Sequence, residues 1–173
     1  SLNAHLPHTG SHHVLDSRVN GLSIGEFGEF AIIADYLGVP IIFGSGDLAF
    51  TKEARALVPH MITVAVKEGK NKTSGEEYSF EVYDDLFHDS VSLRPETARI
   101  RIIMGVAKAV SLLKDKGPAH FTGRGIPQPP YFQIKELRSF SGQPARAILK
   151  THASDPVALF NSEGEEVYRI WHK

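Results

Sequence analysis

The dipeptide Asn20-Gly21 constrains the fold of this chain more than any other feature. It stands between VLDSRV (14–19) and LSI (22–24), and Asn-Gly readily takes the two positive-φ positions of a tight hairpin turn. The spacing predicts two short antiparallel strands joined at residues 20–21. Gly25 interrupts the returning strand, and a helix is predicted from about Glu26 to Leu37, stopped by Gly38.

Val39 to Phe43 (VPIIF) is wholly apolar and of strand length, which predicts a strand covered on both faces. GSGD (44–47) is predicted to turn out of it into a helix over 48–57. HMITVAVK (60–67) follows as another strand. Strand and helix alternate, so the expected fold class is α/β, a parallel or mixed sheet flanked by helices. Residues 68–78 read as a polar loop. Pro95-Glu96-Thr97 opens a long helix to about Leu113, with Ile100, Ile103, Val106, Ala107, Val110 and Leu113 at helical spacing. A Gly/Pro-rich connector leads to a predicted strand at Tyr131–Leu137. Beyond Phe140, ARAILKTH and VALFNSEGEEVYRIWHK each admit helix or strand, and Gly164 argues against one continuous helix. The expected division is residues 1–70 as an α/β core and 71–173 as a smaller α+β portion completing the subunit and its oligomer contacts.

At 173 residues the chain is long enough to bury a core of its own. A net charge of -1 gives no electrostatic reason to expect nucleic acid. No stretch approaches the length and apolarity of a membrane span, and the first residues lack a signal-peptide pattern, so a cytoplasmic protein without a membrane role is expected. There is no cysteine. Any metal must therefore be held by His, Asp and Glu, a donor set that suits zinc.

Two acids, Glu26 and Glu29, stand at the mouth of the first predicted helix. At about 100° per residue, Glu26 aligns with Phe30, Ile33 and Leu37 at the edge of the apolar stripe, whereas Glu29 falls outside it. Glu26 is thus expected to point to the buried side or an adjoining cleft, and Glu29 to water. A buried carboxylate needs a cation, a metal or several donors; the rival reading is a first-turn acid favoured by the helix dipole. His5, His8, His12 and His13 crowd the first residues. They read either as ligands and proton carriers or as a solvated segment. Asp47 reads as a helix N-cap or as part of a pocket with Ser45, at the carboxyl end of the sheet. No phosphate loop, nucleophile elbow or paired-His zinc motif occurs.

HTGS (8–11), RVNG (18–21), GE (25–26), GVP (38–40), SGD (45–47) and VKEG (66–69), in that order and spacing, resemble the DppA-type zinc D-aminopeptidases. The likeness runs over about residues 8 to 69 and fades after 140. It implies a bacterial metallopeptidase with two zinc ions that removes N-terminal D-amino acids from short peptides. It also implies a ring-like homo-oligomer, decamers being known. The family's catalytic histidine falls on His8 and a metal-binding carboxylate on Glu26, with Ser45 and Asp47 as candidate substrate contacts. The remaining family ligands, an Asp-x-Glu and two histidines, lie upstream of the HT pair, and this sequence contains no Asp-x-Glu. The chain alone is therefore expected to be inactive, and an N-terminal companion fragment or a longer parent chain is expected. The alternative is a non-catalytic α/β subunit that keeps fold and assembly only.

Overall fold

The structure is a computed structural model that describes residues 9–70, 78–86, 89–123 and 125–168. The hairpin forms as predicted. Strand β1 (Val14–Val19) pairs with β2 (Leu22–Ser23) through Val19↔Leu22 and Arg18↔Ser23. Asn20 and Gly21 sit at φ 51° and 82°. Asn20 also fixes the next neighbour of β1. Its Nδ2 donates to the carbonyls of Gln128 (2.7 Å) and Pro130 (3.1 Å), and its Oδ1 accepts the Phe132 N–H at 2.9 Å. These bonds register strand β6 (Tyr131–Leu137) against β1. Strands β7 (Arg146–His152) and β8 (Glu165–Tyr168) continue an antiparallel sheet of order β2-β1-β6-β7-β8.

A second, mixed sheet has the order β3-β4-β5. Strand β3 (Phe43–Asp47) runs parallel to β4 (Ile62–Gly69), with helix α2 (Leu48–Leu57) as the crossover, and β5 (Ser90–Ser92) is antiparallel to β4. The α/β class with a mixed sheet flanked by helices is thus realised. The parallel layer is smaller than the alternation predicted, because the Asn20 turn commits β1 to the other sheet.

The apolar run at 39–43 is not the strand. Helix α1 (Glu26–Tyr36) ends with Gly38 at φ 69°; Gly38 N–H donates to Asp35 O (3.0 Å) and Val39 N–H to Ala34 O (2.8 Å). This double closure ties Val39 to the helix end, and Pro40 has no N–H for a ladder. Pairing begins at Phe43, so GSGD is strand rather than turn. Its glycines have a packing reason: a Cβ on Gly44 would lie 3.0 Å from Phe50 Cζ of α2 and from Met61 Cε.

Helices α3 (Phe80–Leu86), α4 (Pro95–Lys116) and α5 (Pro156–Asn161), with a 3-10 turn at Pro118–Phe121, complete the described elements. Val19, Ile24, Ile32, Val58, Tyr131 and Leu159 belong to one buried cluster drawn from both sides of residue 70. Helix α4 turns much of its apolar stripe outward. It buries Gly105 and Ala109, while Ile100, Ile103, Met104, Val106 and Val110 are exposed. A Cβ on Gly105 would stand 2.7 Å from both Phe43 and Val64, so only the smallest residue fits where α4 crosses the sheet. No helix among the described residues is long and apolar enough to cross a membrane.

Candidate functional site

The segment leading into β1 is held by aromatic and polar contacts. The His13 ring stacks on Phe80 of α3 (3.9 Å, 7°) and meets Phe140 edge-on at 4.5 Å. His12 Nδ1 pairs with Asp84 of α3. Arg138 N–H donates to His13 O at 2.8 Å, and its guanidinium lies 3.7 Å over the Tyr83 ring. His12 and His13 are therefore anchors of this segment. His5 and His8 lie outside the described residues.

Two residues beyond His8, the Gly10 N–H donates to Glu26 Oε1 at 2.7 Å. Gly10 is at φ 72°, which favours glycine there. The chain that follows the HT pair is thereby fixed at the start of α1, beside the acid of the GE pair.

The orientation of the two acids is opposite to the expected one. Glu26 is exposed. Glu29 turns inward, its side chain 23% accessible; its Oε1 accepts from Gln133 Nε2 at 3.2 Å and lies 3.6 Å from Lys135 Nζ. The reason is in α1 itself, which is apolar almost all round, so composition leaves the wheel free to rotate. Gly28, Ala31, Ile32 and Ala34 face inward, while Phe30 (57%) and Leu37 (61%) face out with Glu26. Sequence reasoning also missed Glu53 of α2, whose Oε1 accepts the Gly25 N–H at 2.9 Å and so caps α1 from a distance of 28 positions. Nothing local to either residue signals that bond. Gly25 has an ordinary φ of -94°, and what it provides is space: a Cβ there would sit 3.0 Å from Glu53 Oε1.

Residues 1–101 match the D-aminopeptidase family. The chain belongs to that family. Among its relatives, the D-aminopeptidase of Bacillus subtilis (strain 168) is 40% identical over 50 residues, covering 29% of this chain and 18% of that protein. Among solved structures, the Zn-dependent D-aminopeptidase DppA from Bacillus subtilis, described as a self-compartmentalizing protease, superposes with a TM-score of 0.65 at 19% identity, over 90% of this chain and 53% of that one. The likeness shows the fold. This family member spans about half the length of that solved relative.

As one arm of a divalent site Glu26 fits, since a carboxylate oxygen is a suitable zinc donor. As a whole site the described residues do not fit: no group of three or more His, Cys, Asp or Glu among them could hold an ion. Of the two candidate substrate contacts, Ser45 is exposed on β3. Asp47 is buried, and both its oxygens serve the fold. Oδ1 accepts the Ala49 N–H (2.7 Å) to cap α2, and Oδ2 accepts the Gly69 N–H (2.9 Å) at the end of β4. The N-cap reading is the one realised, and Asp47 joins α2 to β4.

Proposed function

We propose that this chain carries the His8 and Glu26 part of a zinc-dependent D-aminopeptidase that removes N-terminal D-amino acids from short peptides. The remaining zinc ligands come from outside the described residues, on a longer parent chain or an N-terminal companion. The observation that supports this reading is the 2.7 Å bond from Gly10 to Glu26, which holds the residue just after the HT pair at the mouth of α1. An exposed Glu26 suits a half-site, because an acid meant to be shared must stay accessible until its partner groups arrive. When bound, zinc supplies Lewis acidity and a water of lowered pKa. His8 is assigned to proton transfer or oxyanion stabilisation. The outward apolar stripe of α4 is assigned to homo-oligomer assembly.

A non-catalytic subunit is the second reading, favoured by the lack of three convergent ligands among the described residues. Metal content and intact mass on one sample of the 173-residue chain, followed by D-alanyl-peptide hydrolysis with and without the family's N-terminal segment supplied in fusion, separate the two. The peptidase reading expects little zinc and no turnover for the chain alone, and both to appear in the fusion and vanish with Glu26→Gln. A fusion that folds, yet neither binds zinc nor cleaves, leaves the non-catalytic subunit.

A further inference from the structure

A concave site lies at the end of α1 opposite to Glu26. A cavity of about 210 Å³ opens between the C-terminal end of α1 and the 3-10 turn at Pro118–Phe121. Ala31, Val39, Ile41, Val58, Phe121 and Ile126 give it apolar walls. Among the described residues its one ionisable lining residue is Asp35. Asp35 is intermediate in exposure, and its carboxylate, bonded at the surface, has as hydrogen-bond partner among the described residues the neutral amide of Gln128, Nε2 to Oδ2 at 3.1 Å. A carboxylate at the rim of apolar walls, bonded to a neutral amide, offers a charge-assisted acceptor to a cation whose apolar part enters the cavity.

The surroundings add to that offer. Tyr131, buried under the same end of α1, has its hydroxyl pushed above the ordinary phenol range by burial, and further by Asp35, Tyr36 and Asp155. Asp155 is committed to capping α5, accepting from Val157 N (2.8 Å) and Ala158 N (3.1 Å). Two acids, Asp35 and Asp155, thus lie near Tyr131 at this end of the molecule, beside an apolar hollow. Its volume is below the roughly 300 Å³ at which drug-sized ligands begin, so the occupant is about the size of one side chain.

We infer that this cavity binds a small apolar primary ammonium, its hydrocarbon part between Val39, Ile41, Val58 and Ile126 and its charged nitrogen on Asp35. Both a free hydrophobic amino acid and the first residue of a peptide present this chemistry. Asp35 lies nine positions after Glu26, about 14 Å along the helix at 1.5 Å per residue, so a ligand held here does not touch the proposed metal arm. The site is an exosite, and it stands whether or not the chain takes part in catalysis.

The test is methyl chemical-shift mapping on the 173-residue chain with 2-phenylethylamine, and with 3-phenylpropanoate as the acid of matched shape. The amine is expected to shift the methyls of Val39, Ile41, Val58 and Ile126. The acid is expected to bind at least about tenfold more weakly, as is the amine to Asp35→Asn, the size of one lost charge-assisted contact. Should Asp35→Asn fail to give a native spectrum, Val39→Trp at the rim replaces it and is expected to block the amine. D-Phenylalaninamide and D-phenylalanine then separate the sources, since tighter binding of the amide points to a peptide N-terminus and of the free acid to released product. No shift at millimolar amine, equal binding of amine and acid, or shifts gathered at the Glu26 end instead would each overturn the inference.

Discussion

Gln133 Nε2 reaches Glu29 Oε1 at 3.2 Å where α1 meets β6, and the same nitrogen donates to Ser17 Oγ at 3.1 Å. Gln133 is fully buried, so Glu29 is part of the interior while its neighbour one turn earlier is not. The two acids are therefore expected to separate under mutation. Glu29→Ala removes a hydrogen bond to a charged acceptor and the ion pair to Lys135, at a cost of about 1.5–3 kcal/mol. Glu26→Ala removes a first-turn acid and its bond from the Gly10 N–H, both at the surface where water takes their place, and costs about 1 kcal/mol. Urea unfolding of both variants measures the difference. The reverse order would return the interior position to Glu26.

Asp47 provides a second separation, between structural and substrate roles. Its carboxylate joins the first turn of α2 to the last residue of β4. Asp47→Ala loses a cap, typically about 1 kcal/mol, and leaves a partly buried N–H unpaired, typically about 1–3 kcal/mol. A fall in melting temperature on the order of 5–10 °C is expected for a chain of this size. Ser45→Ala, on the exposed side of β3, is expected to shift it negligibly. A melting temperature unchanged by Asp47→Ala would reopen its assignment as a binding residue.

What the sequence made readable was what neighbouring residues decide. Asn20-Gly21 specified the hairpin, Gly38 stopped α1, and α2 and β6 fall within the expected bounds. Distant contacts decided the rest. Helix α3 and strand β5 went unread because their partners lie far along the chain, Phe80 against His13 and Phe140, and Ser92 against Lys67. Strand β3 began four residues late because the closure at Val39 outweighed the apolar run. At the site, the GE and HT pairs were legible as motifs, and Gly10 supplies the bond that joins their neighbourhoods. The facing of Glu26 was not legible, because an all-round apolar helix carries no moment to orient it.

The two faces of α4 are expected to respond in opposite ways. Gly105→Ala adds a methyl 2.7 Å from Phe43 and Val64. The gain in helix propensity, about 1 kcal/mol, is outweighed by an overpacking cost of about 1–3 kcal/mol, so net destabilisation is expected by thermal melting. Ile103→Lys, 68% exposed on the outer stripe, leaves the melting temperature of the dilute chain nearly unchanged. Light scattering on the same variant is expected to show a smaller assembled species than the parent chain, because a charge would interrupt the apolar face assigned to assembly. Assembly identical to the parent would remove α4 from that role.

The imidazoles of His60 and His120 stack at 4.4 Å and 24°, which sets a pH dependence. Desolvation holds the His120 ring below the ordinary histidine value, with the charges of His60 and Lys116 adding to the effect. The folded chain therefore releases the His120 proton more readily than the unfolded chain does. As pH falls through the ordinary imidazole value of about 6.5, the unfolded state takes up this proton first, and stability declines until the folded pKa is passed. Full stability from this group is present above that window and is lost going down through it. Glu81, held below the usual carboxylate range by the Ser141 N–H, adds a loss at lower pH that is common to parent and variant. Melting temperatures of the parent and of His120→Gln, compared between about pH 7.5 and 5, isolate the histidine: the parent is expected to fall more steeply, and parallel curves would show that the stacked ring carries no such linkage.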